Sequence, residues 1–471
     1  MTEDLVPDGE EAVEALERAV ERASGAQSVG GNRVDLLIDG PANFDVMLQQ
    51  IASAQCRVHL ENYILHDDII GRRFAEALIA KAGDGVKVRV LYDWLGSWGT
   101  PRRFWARLRA AGIEVRAFGP PSLRDPLLLA SRDHRKVLVI DGRMGVTGGL
   151  CIGDEWMGDP ARKRLPWRDT GVSIVGPGAR LLDVAFERAW NFAGGTPIPD
   201  DEIDGDVPEG GSTAVRVVAT EPGRERAYRT IELLLGISAS KIWVTEAYLA
   251  APQRLYQTFI DAARDGADVR ILLPGASDLR VVRNLSRVGY RGLLAAGVRI
   301  FEWRGPMLHA KTIVADGHWV RVGSSNMNAS SLMANWELDV FFGDPALGEQ
   351  LEQQFVADQA RSSEITPRPR RIPSLFGRQI PPKLARERPV HTDGSQHQRS
   401  FRERRKQAIV TAGGLIRGAR AALFGPLALV LVVAAALFLI FPVVTAYVAA
   451  GLSGLGAAAL IVRALGHRGR T

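Results

Sequence analysis

Two short segments hold the same reactive residues at the same spacing. His134, Lys136 and Asp141 stand in HRKVLVID, and His309, Lys311 and Asp316 stand in HAKTIVAD. In each, a glycine turn follows fourteen residues after the histidine: GGLC at 148–151 and GSSN at 323–326. On an extended strand, residues two apart point to one face, so each histidine and lysine would project together. Two such strands facing each other bring two imidazoles and two ammonium groups to one point. That set suits a phosphate diester. The lysines neutralise the non-bridging oxygens and the charge that develops on them. One histidine attacks phosphorus, while the other protonates the leaving oxygen and later deprotonates the incoming alcohol.

The segments lie at matching places in a repeated pattern. The first half runs through RVHLENYI (57–64), GVKVRVL (85–91) and GIEVRAF (112–118). The second answers with KIWVTEAYL (241–249), GADVRIL (266–272) and GVRIFEW (297–303). Apolar, β-branched runs alternating with helical stretches predict α/β halves. Gly205 to Gly211, with Pro208, marks the join. The expected order is an acidic extension over 1–29, half one over 30–204 and half two over 212–360. One site is expected where the halves face each other. Glu61 and Glu246 recur on the corresponding runs, and either lines that site or pairs with a neighbouring arginine.

The duplicated motif resembles the phospholipase D superfamily, and its surroundings are similar to bacterial cardiolipin synthases. The stretches that carry the likeness are HLENYILHDD (59–68), RDHRKVLVIDGRMGVTGGLCIGDEW (132–156), WRDT (167–170) and LHAKTIVADGHWVRVGSSNMNASSLMANWELDVFF (308–342). The resemblance covers roughly residues 30–360. It implies two pseudo-twofold-related halves, each a mixed sheet flanked by helices. It implies a carboxylate downstream of each histidine that fixes its tautomer. Glu337, 28 residues after His309, and Asp169, 35 after His134, are assigned to that work. It also implies that Asp141 and Asp316, although part of the motif, are more structural than catalytic, with salt bridges expected near the strand ends. Ser324 and Asn326 of GSSN are expected to donate hydrogen bonds to phosphate, with Gly148 and Gly149 at the matching turn. Cys151 stands where the family more often has asparagine. A thiol is a weak donor, so half one is expected to hold phosphate less well, and a buried, inert thiol is the preferred reading.

The charge pattern argues about partners. Residues 361–420 carry 15 Lys+Arg against 4 Asp+Glu, while residues 1–360 sum to −8. A nuclease would place positive charge on the domain that holds its site, so no nucleic-acid partner is expected. From Ala421 to Val462, 42 residues contain no charged side chain, and Pro442 lies near the middle. At ~1.5 Å per residue that is about twice a bilayer's hydrocarbon thickness, which predicts a transmembrane helical hairpin. Basic residues on both flanks place residues 1–420 and the tail in the cytoplasm, with the linker 361–420 held to an anionic membrane surface. The acidic opening is the opposite of a signal sequence. Two cysteines supply neither a disulfide framework nor a metal cluster, and no metal or cofactor is expected. The reading is a phosphatidyltransferase that joins two phosphatidylglycerols through a phosphohistidine and releases glycerol. Alternatives are a phospholipase D hydrolase, transfer to another alcohol, and, further off, a diester nuclease or a membrane scaffold.

Overall fold

A computed structural model describes residues 9–121, 131–199, 206–278 and 280–366. The basic linker beyond residue 366 and the uncharged run 421–462 lie outside them. Among the described residues, no helix is long and apolar enough to cross a membrane.

The repeat seen in the sequence becomes a repeat of strand order. Half one contains β1 (Val29–Ile38), β2 (Arg57–Asn62), β3 (Lys87–Asp93), β4 (Glu114–Phe118), β5 (Lys136–Ile140), β6 (Met144–Gly148) and β7 (Thr170–Val175). Half two contains β8 (Thr213–Thr220), β9 (Lys241–Thr245), β10 (Asp268–Pro274), β11 (Arg299–Trp303), β12 (Thr312–Ala315), β13 (Trp319–Gly323) and β14 (Glu337–Gly343). A short β15 (Ser362–Glu364) closes the edge, just past the boundary expected at residue 360. The hydrogen-bonded order is β15-β11-β10-β9-β12-β13-β14-β8-β1-β7-β6-β5-β2-β3-β4. Read outward from the β8–β1 seam, the two halves run in the same sequence of equivalent strands. Within each, three parallel strands joined by helical crossovers meet an antiparallel set. Strands such as β2 and β5 are buried along almost their whole length, which is why they read as near-continuous apolar runs.

The seam is short and is stitched by a side chain. Asn32 Nδ2 donates to the carbonyls of Val29 (2.7 Å) and Thr213 (3.1 Å), while its Oδ1 accepts from Gly178 N (2.6 Å). Behind the seam one apolar cluster takes residues from both halves, including Val137, Val139, Val172 and Leu182 with Val217, Leu308, Val340 and Phe355. The halves therefore share a core, and their relative orientation is fixed by packing.

Asp141 and Asp316 each close a strand, and they do so without the salt bridges expected of them. Both adopt a left-handed backbone, φ 53° and 49°, followed by a glycine with φ 69° and 74°. Two successive positive φ values form the tight Asp-Gly hairpin turn that matches strand twist. Freed by that turn, the Asp141 carboxylate accepts from the backbone N–H groups of Gln55 (2.9 Å), Cys56 (2.8 Å) and Arg57 (2.7 Å). Asp316 accepts from Ala239, Ser240 and Lys241, each at 2.9 Å. Each aspartate thus ties the far end of the motif strand to the start of the neighbouring strand. Backbone donors offer three hydrogen bonds in fixed geometry, where a mobile cation would offer a solvated charge. Asp141→Ala and Asp316→Ala should each cost about 2–4 kcal/mol in denaturant unfolding with little change in kcat per folded molecule. A collapse of kcat at unchanged stability would contradict this structural role.

Candidate active site

The motif histidines sit just ahead of their strands rather than on them. β5 begins at Lys136 and β12 at Thr312, so His134 and Lys136 straddle the entrance of their strand, while His309 and Lys311 both precede theirs. The reason is that the histidine backbone is engaged elsewhere. His134 N donates to the carbonyl of Trp336 (2.9 Å), and His309 N donates to that of Arg168 (2.7 Å). Each bond crosses from one half to the other. Each acceptor immediately precedes an acidic residue, Glu337 or Asp169.

Those two carboxylates hold the imidazoles in a crossed pattern. His134 Nδ1 lies 3.0 Å from Glu337 Oε2, and His309 Nδ1 lies 2.7 Å from Asp169 Oδ2. The spacing along the chain suggested pairs within each half; the fold makes them between halves. Both carboxylates are fully buried, and each is surrounded by donors. Asp169 accepts from Trp156 Nε1 (2.9 Å) and Thr170 N (2.8 Å). Glu337 accepts from Ser324 Oγ (2.5 Å) and from Ser331 Oγ. Burial alone would push both acids up. The facing histidines, with these hydrogen bonds, hold both below the ordinary carboxylate range. With Nδ1–H donated to an anion, each imidazole leaves Nε2 as its free reactive nitrogen.

The lysines and aromatic rings complete the chamber. Lys136 and Lys311 are buried, and each Nζ donates to the carbonyl of its own motif histidine. Lys311 Nζ also stands 3.1 Å from His309 Nε2. Burial lowers Lys311 to about 8. Burial likewise pulls His134 and His309 below the usual histidine value, with Lys136 and Lys311 adding to the effect. Tyr63 lies edge-on to His134 at 5.0 Å between ring centres, and Tyr248 to His309 at 6.0 Å. Trp156 and Trp167 pack on the other side of His309 at 5.4 and 5.9 Å. Two neutral imidazoles thus stand among two buried lysines and two buried carboxylates, with the lysines beside the histidines rather than paired to the acids.

Comparison with known proteins gives the family. The family described as "Cardiolipin synthase, PLD-like domain" matches residues 47–154 and 233–359. Cardiolipin synthase of Staphylococcus aureus is 34% identical over 342 residues, covering 71% of this chain and 69% of that one. Cardiolipin synthase A of Pseudomonas fluorescens is 31% identical over 354 residues, covering 74% and 73%. The chain belongs to this family. Its fold is also that of phosphatidylserine synthase from Haemophilus influenzae, with a TM-score of 0.58, 15% identity, and coverage of 74% of this chain and 92% of that one.

In this family member several residues take places the sequence did not suggest. Ser324 was expected on the phosphate, but its hydroxyl donates to Glu337 and accepts from Leu338 N (2.9 Å), so it serves the orienting carboxylate. Gly149 likewise spends its N–H on Thr170 O (3.2 Å). A Cβ there would come within 2.1 Å of Asp169 Oδ1, and one on Gly148 within 2.5 Å of Thr170 O. These glycines make room for the carboxylate strand. Asn326 keeps a buried Oδ1 with no hydrogen-bond partner among the described residues. Cys151 is buried among apolar side chains, and burial raises its thiol. The two glutamates are not equivalents. Asn62 pairs with Lys136, whereas Thr245 pairs with Thr312, so the residue opposite Lys311 is Glu246 and its counterpart is Asn62. Glu61 points to the other face, beside Asp133 and Arg135. Trp156, Ser331, Tyr63 and Tyr248 were missed as site residues. Trp156 and Ser331 act through carboxylates 13 and 6 residues further along the chain, and no motif marks either of them.

Asp169→Asn and Glu337→Gln should each lower kcat by about 10²–10⁴ while leaving KM within a fewfold, because each removes the anion that fixes a tautomer. A change confined to KM would mean that the carboxylates bind substrate instead. Both histidines are held below their ordinary 6.5, so they stay neutral at pH 7 and gain a proton only as the pH falls further. The acid limb of kcat/KM, which reports the free enzyme, should therefore lie below pH 6.5. A limb centred above that value would contradict the buried, neutral pair.

Proposed function

We propose that this phosphatidyltransferase makes cardiolipin, transferring the phosphatidyl group of one phosphatidylglycerol to the hydroxyl of a second. The observation that carries the reading is the crossed pair of His–carboxylate contacts, which presents two Nε2 atoms to one chamber. The Nε2 lone pair of one histidine forms a bond to phosphorus. The P–O bond to glycerol breaks, and the leaving oxygen takes a proton from Nε2 of the other histidine, neutral in the free enzyme, which takes up a proton from solvent when the anionic phosphodiester binds beside it. In the second stage the terminal hydroxyl of the incoming phosphatidylglycerol gives its proton to that imidazole, now neutral. Its oxygen bonds phosphorus as the P–N bond breaks. Lys136 and Lys311 stabilise the charge on the non-bridging oxygens through both stages. The names of the relatives, cardiolipin synthases at 31–34% identity, support this acceptor over water.

The same reading places the enzyme at a membrane. The run 421–462 forms two spans, the linker 361–420 rests on anionic lipid, and the body with its site lies on the cytoplasmic side. The −8 charge of residues 1–360 weighs against a nucleic-acid substrate.

Full-length protein in mixed micelles should convert labelled phosphatidylglycerol to cardiolipin with one glycerol released per product, and chelator should not abolish turnover. His134→Ala and His309→Ala should each lose at least about 10² in kcat, and acid-labile label should appear on a histidine during turnover. Formation of phosphatidic acid alone would replace the synthase by a hydrolase. Equal activity with and without either histidine would sink the two-histidine mechanism.

A further inference from the structure

Next to this chamber, three side chains converge that the transfer reaction does not use. His66 follows β2 on the loop that carries Tyr63. Asp68 caps the helix Ile69–Gly83, and Glu155 lies in the short helix Asp154–Met157. His66 Nδ1 stands 3.8 Å from Asp68 Oδ2 and 3.6 Å from Glu155 Oε2, and the three atoms all lie within 4.8 Å of one another. Three ligands bound at ~2.1 Å in tetrahedral geometry stand roughly 3.4 Å apart, so these separations need only a small contraction.

A second observation locates the space between them. A Cβ built on Gly153 would fall 2.7 Å from Glu155 Oε2, 3.1 Å from His66 Nδ1 and 3.6 Å from Asp68 Oδ2. Gly153 is extended, with φ −164°, so its backbone does not require glycine. What the missing side chain leaves open is a point ringed by these three donor atoms. The ring is held by main-chain bonds. His66 N donates to Ile152 O (3.1 Å), Ile152 N to Ile64 O (3.0 Å), and Asp154 N to Asp68 Oδ2 (2.8 Å). Its outer side opens on a cleft of about 610 Å³, which leaves room for water on further coordination positions.

We propose that His66, Asp68 and Glu155 form a divalent-cation site. One imidazole nitrogen and two carboxylate oxygens, with no thiolate, suit a first-row ion of the Zn²⁺ or Mn²⁺ kind. The sequence reading, which found no metal cluster, could not see it, because 88 residues lie between His66 and Glu155. The ion clips the Tyr63 loop to the segment that carries Trp156, and so braces the supports of both catalytic histidines. It takes no part in the transfer.

The test uses full-length, chelator-stripped protein titrated with Mn²⁺ alone by calorimetry. Wild type should bind one ion that Glu155→Gln and Gly153→Ala each weaken at least tenfold, while all three unfold alike without metal. Electron spin-echo spectra of the wild-type complex should show coupling to an imidazole nitrogen. Isotherms that match among the three proteins, or a complex without that coupling, overturn the site. Binding is read without turnover, so neither outcome depends on the acceptor lipid.

Discussion

The constraint on which this molecule turns is that neither half orients its own motif histidine. A buried imidazole is useful only in one tautomer, and a buried carboxylate is tolerable only with its charge compensated. Each half supplies the histidine, the lysine and a carboxylate, but the carboxylate reaches the other half's ring. The backbone repeats the exchange, with each histidine N–H donated to the residue before the opposite acid. The β1–β8 seam and the core cluster drawn from both halves follow from this need. A shift of about 1 Å between halves would misplace both pairs together.

Two buried lysines and two buried carboxylates surround the motif histidines. Asp169 and Glu337 are occupied by the histidines and by indole, hydroxyl and backbone donors. Two lysines remain, with Lys311 already weakened by burial. A phosphodiester entering beside the lysines gains most where charge grows on its non-bridging oxygens. The two sides are unequal behind the shared pattern. Glu246 stands opposite Lys311 in half two and Asn326 ends its glycine turn, whereas the corresponding positions in half one hold Asn62 and Cys151. The symmetry of the fold therefore does not extend to the polar lining.

Much of this was legible in the chain because it rests on local repetition. The duplicated HxKxxxxD pointed to the family, and the matched strand runs announced the two halves. Asp141 and Asp316 were recognised as structural, although the partner chosen, backbone rather than cation, depends on a left-handed turn that spacing does not encode. What stayed hidden was everything decided by contact between halves. Asp169 and Glu337 were found, but their partners were exchanged. Ser324 looked like a phosphate ligand until the proximity of Glu337 claimed its hydroxyl. Glu61 and Glu246 looked equivalent in letters, yet a one-residue difference in register sends them to opposite faces of the sheet.

A double-mutant cycle on kcat addresses the crossed site most directly. It compares His134→Ala combined with Glu337→Gln against His134→Ala combined with Asp169→Asn, in full-length enzyme acting on phosphatidylglycerol. Residues that act as one unit show strong non-additivity. The account requires Glu337→Gln to cost little further once His134 is gone, while Asp169→Asn still exacts most of its separate loss through His309. The reverse result, with His134 coupled to Asp169 and indifferent to Glu337, would contradict the crossed arrangement.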